Sequence, residues 1–173
     1  PTNGGVGAVL RRGTGGYYFN GVIARWPRQA ISMRDSTTNN RFLVDSLFFK
    51  NNFLADNGTQ NGGIIFDPTG TNFGQESAFT GRNQNNTVAA AGVTAASLFT
   101  ALPAGSATTT AADFDWTPAA NSPIATGGLN SFANDPRIAA RAGTFIVPTA
   151  YRGAVDPAAT TKWWAGWTSY ARN

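Results

Sequence analysis

The sequence predicts a mainly β domain whose short strands stack as repeats, and three observations predict it. Along the first third of the chain, runs rich in β-branched and aromatic residues are bounded by Gly, Pro, Asn or Asp, as strands are. Two of these runs echo each other. Asn20-Gly21-Val22-Ile23-Ala24 aligns with Asn51-Asn52-Phe53-Leu54-Ala55, and a separation of about 31 falls in the range expected of stacked structural repeats. The third observation is compositional. Only 13% of the residues are charged, so solubility rests on Asn, Thr, Ser and Gly, a habit common in secreted proteins.

The elements follow in chain order. "GYYFNGVIARW" is a strand region, and Pro27 marks a corner after Trp26. "AISMRD" alternates Ile31 and Met33 against Ser32 and Arg34, the period of two of a half-buried strand. "SLFFKNNFLADNG" is a further strand region, and "GGIIFDPTG" is a short strand closed by a Pro-Thr-Gly turn. From residue 81 the character changes. Apolar side chains at 88, 91, 95, 98, 99 and 102 have the spacing of one helical face, with Asn85, Asn86 or Thr87 as N-cap and Pro103 as stop. One helical insertion over about 85–102 is therefore expected, followed by a low-complexity loop at 104–112. Short apolar runs among turns then return. The prediction is one domain over 1–173: β coils at 1–80, a helix and loop insertion at 81–112, and closing coils with a cap at 113–173.

At 173 residues the chain can bury roughly 70% of its unfolded surface in one core. Cysteine and histidine are absent, which removes disulfides, thiolate and imidazole metal sites, Cys nucleophiles and the commonest general base. No cofactor and no metal are expected. The net charge of +4 is carried mostly by arginine, without a charge block. No apolar run reaches the ~18 to 20 residues of a spanning helix. Pro1 stands first with neither an initiator Met nor a targeting segment before it, so a processed or partial chain is expected.

Few residues offer chemistry. Arg25, Arg28, Arg34 and Arg41 fall in one region around Trp26 and could form a cationic stripe for acidic polysaccharide, phosphate or a headgroup. Asp35, Asp45 and Asp56 lie close enough in sequence to neutralise it. Asp113 and Asp115 put two carboxylates on one face of an extended segment, a pair that serves glycoside hydrolysis or calcium binding, or is ordinary solvated surface. The glycine-rich "GGVG" and "RRGTGG" lack the Lys-Ser/Thr and the helix of a phosphate loop, and are turns. Asn57 and Asn85 each open a glycosylation sequon. The chain ends "TTKWWAGWTSYARN", and Trp163, Trp164, Trp167 and Tyr170 can supply either a lid on a strand stack or an exposed interface.

Ser122-Pro123-Ile124-Ala125-Thr126-Gly127, the Asn-bearing "SLFFKNNFLADNG", Gly153 to Pro157 and the Trp164 to Thr168 segment together resemble the C-terminal part of right-handed parallel β-helix proteins secreted by bacteria. The resemblance covers about half the chain and its motifs are structural. It implies a short right-handed parallel β-helix-like stack closed by the aromatic C-terminal cap. A parallel coil cannot bury its inner face alone, so each needs a neighbour and the last needs a lid.

The function expected is a non-enzymatic secreted or periplasmic structural protein, a surface β-solenoid or an accessory subunit of a larger assembly. Its partners would be proteins or further copies, met through solenoid ends or flat sides, or an acidic glycan or membrane-complex surface, and not nucleic acid. The alternatives are a polysaccharide lyase or hydrolase, or a carbohydrate-binding module, on the same scaffold.

Overall fold

A computed structural model describes residues 4–103, 110 and 113–165. Its strands are β1 (Ala8–Leu10), β2 (Gly16–Phe19), β3 (Val22–Ala24), β4 (Ile31–Met33), β5 (Leu47–Lys50), β6 (Phe53–Ala55), β7 (Thr87–Val88), β8 (Phe99–Ala101) and β9 (Asp115–Pro118). Its helices are α1 (Ser36–Leu43), α2 (Glu76–Thr80), α3 (Ala95–Leu98) and α4 (Pro136–Ala142). The protein is mainly short strands, and three of its four sheets are parallel: β1 with β4, β2 with β5, and β3 with β6 and β7. The fourth joins β8 and β9 antiparallel.

Three successive stretches of chain lie one over another in this arrangement. The first carries β1, β2 and β3, the second carries β4, β5 and β6, and the third ends in β7. Between the last two, Ala30 donates its N–H to the Ile65 carbonyl and Phe73 donates to Met33. The echo between 20–24 and 51–55 is a physical register: Val22 faces Phe53, Ile23 faces Leu54 and Ala24 faces Ala55.

Asparagine side chains tie the layers together. Asn52 accepts the Gly21 N–H at 2.7 Å, 31 residues back, while its amide donates to the Tyr18 carbonyl at 3.3 Å, 34 residues back. Asn57 repeats the geometry one corner later, accepting from Trp26 at 3.1 Å and donating to Ile23 at 2.9 Å. Asn86 extends the first ladder by accepting the Asn52 N–H at 2.9 Å and donating to the carbonyls of Phe49 and Phe79. Asn20, Asn51 and Asn85, each just before a ladder position, hold φ of 57, 54 and 53°, a left-handed conformation that asparagine tolerates better than most residues. The corner therefore needs Asn twice, once for the backbone turn and once for the buried bonds.

The core fills the space inside the sheets. Leu10, Ile31, Met33, Phe42, Leu47, Phe49, Leu54, Phe66 and Phe79 form one buried cluster. Rings stack across layers at aligned positions, Tyr17 on Phe48 with centroids 5.2 Å apart and Tyr18 near Phe49 at 6.1 Å. A second cluster of Phe53, Ala55, Leu98 and Ile124 lies on the other face of β6. Every residue of β4, β5 and β6 is buried. The half-buried strand expected at "AISMRD" is thus covered on both faces, and Ser32 is buried beside Ile31 and Met33.

The expected helix over about 85–102 is a correction. Residues 87–88 are β7, α3 covers only Ala95–Leu98, and 99–101 are β8. Asn85-Asn86-Thr87-Val88-Ala89 is a third copy of the repeat, and hydrogen bonds from Thr87 to Asn52 and from Ala89 to Leu54 hold it on β6. Cross-layer bonding thereby overrides an apolar spacing that also fits a helix. Thr94 still caps the short α3 in a reciprocal pair with Ser97.

Candidate functional site

Residues 119–155 run along the outside of the stack and fasten to its asparagine corner. Leu129 donates its N–H to Asn20 Oδ1, Asn51 donates to the Gly127 carbonyl at 3.0 Å, and Gly153 donates to the Asn20 carbonyl at 2.6 Å. Arg152 pins this segment. Its side chain is buried, donates to Asn51 O at 2.9 Å and Thr87 Oγ1 at 3.0 Å, and lies over the Phe53 ring. Burial pushes its guanidinium below the usual arginine pKa. Gly127 makes room: at φ +77°, a Cβ there would stand 2.8 Å from the Arg152 guanidinium carbon.

Beside this attachment lies a groove of about 710 Å³. Its floor is β3, the edge strand of its sheet among the described residues. Gly21 accepts from Phe53 and Arg25 donates to Ala55, so residues 21, 23 and 25 turn their backbone groups toward β6. The intervening Val22 and Ala24, which line the groove, turn theirs the other way, to the open edge of the sheet. Its walls are aromatic: Phe19 and Trp26 beside β3, Phe99 from β8, Trp116 from β9, and Trp163 with Trp164 from the C-terminal segment. Phe99 meets Trp116 edge-on at 5.3 Å, and Trp163 meets Trp164 edge-on at 6.0 Å. Trp164 is 4% exposed, whereas Trp26 and Trp163 are 40% and 50% exposed. Trp163 donates its indole N–H to the Ala154 carbonyl at 2.9 Å.

In the described part of the aromatic tail, Trp163 and Trp164 share the groove with Asn20 to Val22 of the first stretch. A Cβ on Gly153 would lie 3.7 Å from Val22. Trp167 and Tyr170 lie outside the described residues.

The four arginines singled out in the sequence are exposed and fall in different places. Arg25 lines the groove and donates to the Pro103 carbonyl, Arg28 donates its backbone N–H to the Gly5 carbonyl at 2.9 Å, Arg34 donates to Ser32 Oγ at 3.3 Å, and Arg41 lines a separate pocket with Arg137 and Arg141. None forms an ion pair with a described carboxylate. The neighbouring acids have other work. Asp35 caps α1 through the Thr38 N–H, Asp45 stands 3.9 Å from Arg82, and Asp56 accepts the Ala95 N–H at 2.6 Å.

The two carboxylates considered for catalysis are likewise committed. Asp113 accepts from Thr110, and Asp115 pairs with Lys162 at 2.7 Å while accepting the Thr117 N–H. Burial raises the Asp115 pKa, but hydrogen bonds and charge from Lys162 and Thr117 outweigh it and hold the carboxyl below its ordinary range. A general acid for glycoside cleavage needs the opposite shift. Of the two sequon asparagines, Asn57 is buried in its ladder and Asn85 is exposed.

Sequence reasoning took Asn86 only as an N-cap candidate and passed over Arg152, Arg137 and Arg141. For Asn86 a signal existed, the second Asn-Asn-x-x-Ala in a third copy of the repeat; for Arg152 none did, because its role depends on contacts 65 and 101 residues away. Comparison of the chain with protein-family models, with curated proteins and with solved structures finds no match.

Proposed function

We propose that this protein is a non-enzymatic structural module, built on a short right-handed parallel β-helix-like stack, that works outside the cytoplasm as an accessory subunit of a larger assembly. The observation that carries the reading is the edge of β3. An apolar, aromatic-walled groove lies along a strand whose Val22 and Ala24 line it and turn their backbone groups away from β6, to the open edge. An extended segment of a partner protein, or of a second copy, can add to such an edge through main-chain hydrogen bonds, with the rings gripping alternate side chains.

The asparagine ladders support the coil assignment, because side chains bonding to the layer above fix a parallel register that turns alone would not. The paired Asp115 weighs against the polysaccharide lyase or hydrolase reading. A carbohydrate-binding role is favoured by one observation, the half-exposed Trp26 and Trp163 on the groove wall.

The test is the native mass of the protein and its companions after mild isolation, repeated with two groove variants. Ala24→Pro removes an outward N–H, a change that edge strands tolerate, and Trp26→Ser removes a wall. Association lost in both supports strand addition. A chain that stays at 18.2 kDa without companions contradicts it, and a glycan bound through Trp26 transfers the site to the carbohydrate reading.

A further inference from the structure

On another part of the surface, three guanidinium groups meet around one pocket. Arg41 in the last turn of α1 and Arg137 with Arg141 on α4 line a cavity of about 680 Å³, whose wall includes Tyr17 and Gly16. No described carboxylate forms an ion pair with any of the three, and the nearest acids are engaged elsewhere, Asp45 with Arg82 and Asp135 with Lys50. Arg137 donates to the Val44 carbonyl, which brings the end of α1 against α4.

Exposed apolar residues follow the arginines of this pocket closely in the chain, after Arg41 at the end of α1 and after Arg141 at the end of α4. Gly143 stops α4 at φ +55°, and the chain then presents Phe145, Ile146 and Val147 at 93%, 42% and 72% exposure. Leu43 and Val44 at the end of α1 are 48% and 57% exposed. Scattered exposed apolar residues are ordinary, but three exposed apolar residues in a row, beginning four positions after Arg141, are not. A side chain as exposed as Phe145 protrudes, which suits insertion into a soft apolar layer better than the gripping of a sugar.

We propose that the end of α4 is a membrane-docking face, in which Arg41, Arg137 and Arg141 receive the phosphates of anionic lipids while Phe145 and Val147 enter the acyl boundary. Arginine matches phosphate through its fork of donors, and a cationic collar around an apolar tip is the physical signature of a protein that lies on a bilayer without crossing it. Charge complementarity selects an anionic lipid surface. The proposal is independent of the groove at β3, since it uses other residues.

The experiment measures binding of the whole chain to vesicles of phosphatidylcholine alone and of phosphatidylcholine mixed with phosphatidylglycerol. Binding is expected only to the mixed vesicles. Arg137→Gln with Arg141→Gln should weaken it by about tenfold or more, and Phe145→Ser with Val147→Ser should weaken it as well. All four side chains are on the surface, and because Arg137→Gln also removes the bond to Val44, circular dichroism and Arg141→Gln alone, expected to weaken binding in the same direction, separate loss of charge from loss of fold. Because the chain has no cysteine, Phe145→Cys carries a single environment-sensitive fluorophore, whose emission should shift to the blue on binding. Failure to bind either vesicle overturns the proposal. So does binding that ignores the Phe145 and Val147 changes, which is adsorption only, and so does retention on polygalacturonate without vesicle binding, which makes the pocket a glycan site.

Discussion

Asn52 holds two layers at once, its Oδ1 taking the Gly21 N–H and its backbone N–H and side-chain amide both reaching Asn86. Removing that side chain strands buried donors and acceptors, so Asn52→Ala should cost roughly 1 to 3 kcal/mol for each group left unpaired, measured by urea unfolding. Gly127 matters for a steric reason. With its positive φ and the Arg152 guanidinium in the space a Cβ would fill, Gly127→Ala should destabilise by more than about 1 kcal/mol. Acid reports on a third residue, Asp115. Since its folded pKa is lowered from 3.8, the Lys162 pair stabilises the tail fully above that ordinary value and is lost as pH falls through the lower folded one. Tryptophan fluorescence should therefore respond only below about pH 4, and Asp115→Asn should abolish the response.

Among the elements, those written in local chemistry were legible and those written in distant contacts were not. The strands at 16–24, 31–33 and 47–55 announced themselves through Tyr, Phe, Ile and Val between turn residues, and the repeat at 20 and 51 gave the register of β3 on β6. Residues 85–102 misled because Val88, Ala95 and Leu98 fit a helical face, although two of them are buried for another reason: Leu98 closes the outer side of β6, and Ala95 is held where its N–H meets Asp56. Helix α1 was hidden inside "SMRDSTTNNRF", where only Asp35 as N-cap signals it. Of the candidate site, the tryptophans were visible as a cluster, but the groove needed β3, β8, β9 and the tail brought together. Leu98→Ala should cost about 2 to 5 kcal/mol as a buried truncation. Trp164→Ala should cost about 3 to 5 kcal/mol, and Trp163→Ala only about 1 kcal/mol for its hydrogen bond, because half of that ring is in solvent. Equal losses for the two tryptophans would show that the burial difference between them is absent in solution.

At the scale of the whole molecule, the stack and its outer segment divide the labour. The layers supply a parallel frame, and the segment from 119 to 155 fastens to one side of it while Val22 and Ala24 line the groove. As proposed, the protein meets a partner protein at β3 and a lipid surface at α4, two surfaces built from different residues. The claim on which the functional reading depends is that the β3 edge receives a strand. Amide hydrogen exchange at Val22 and Ala24, compared between the isolated chain and the chain with its companions, tests it most directly. The account predicts fast exchange alone and strong protection in the assembly; equal rates in both would contradict it.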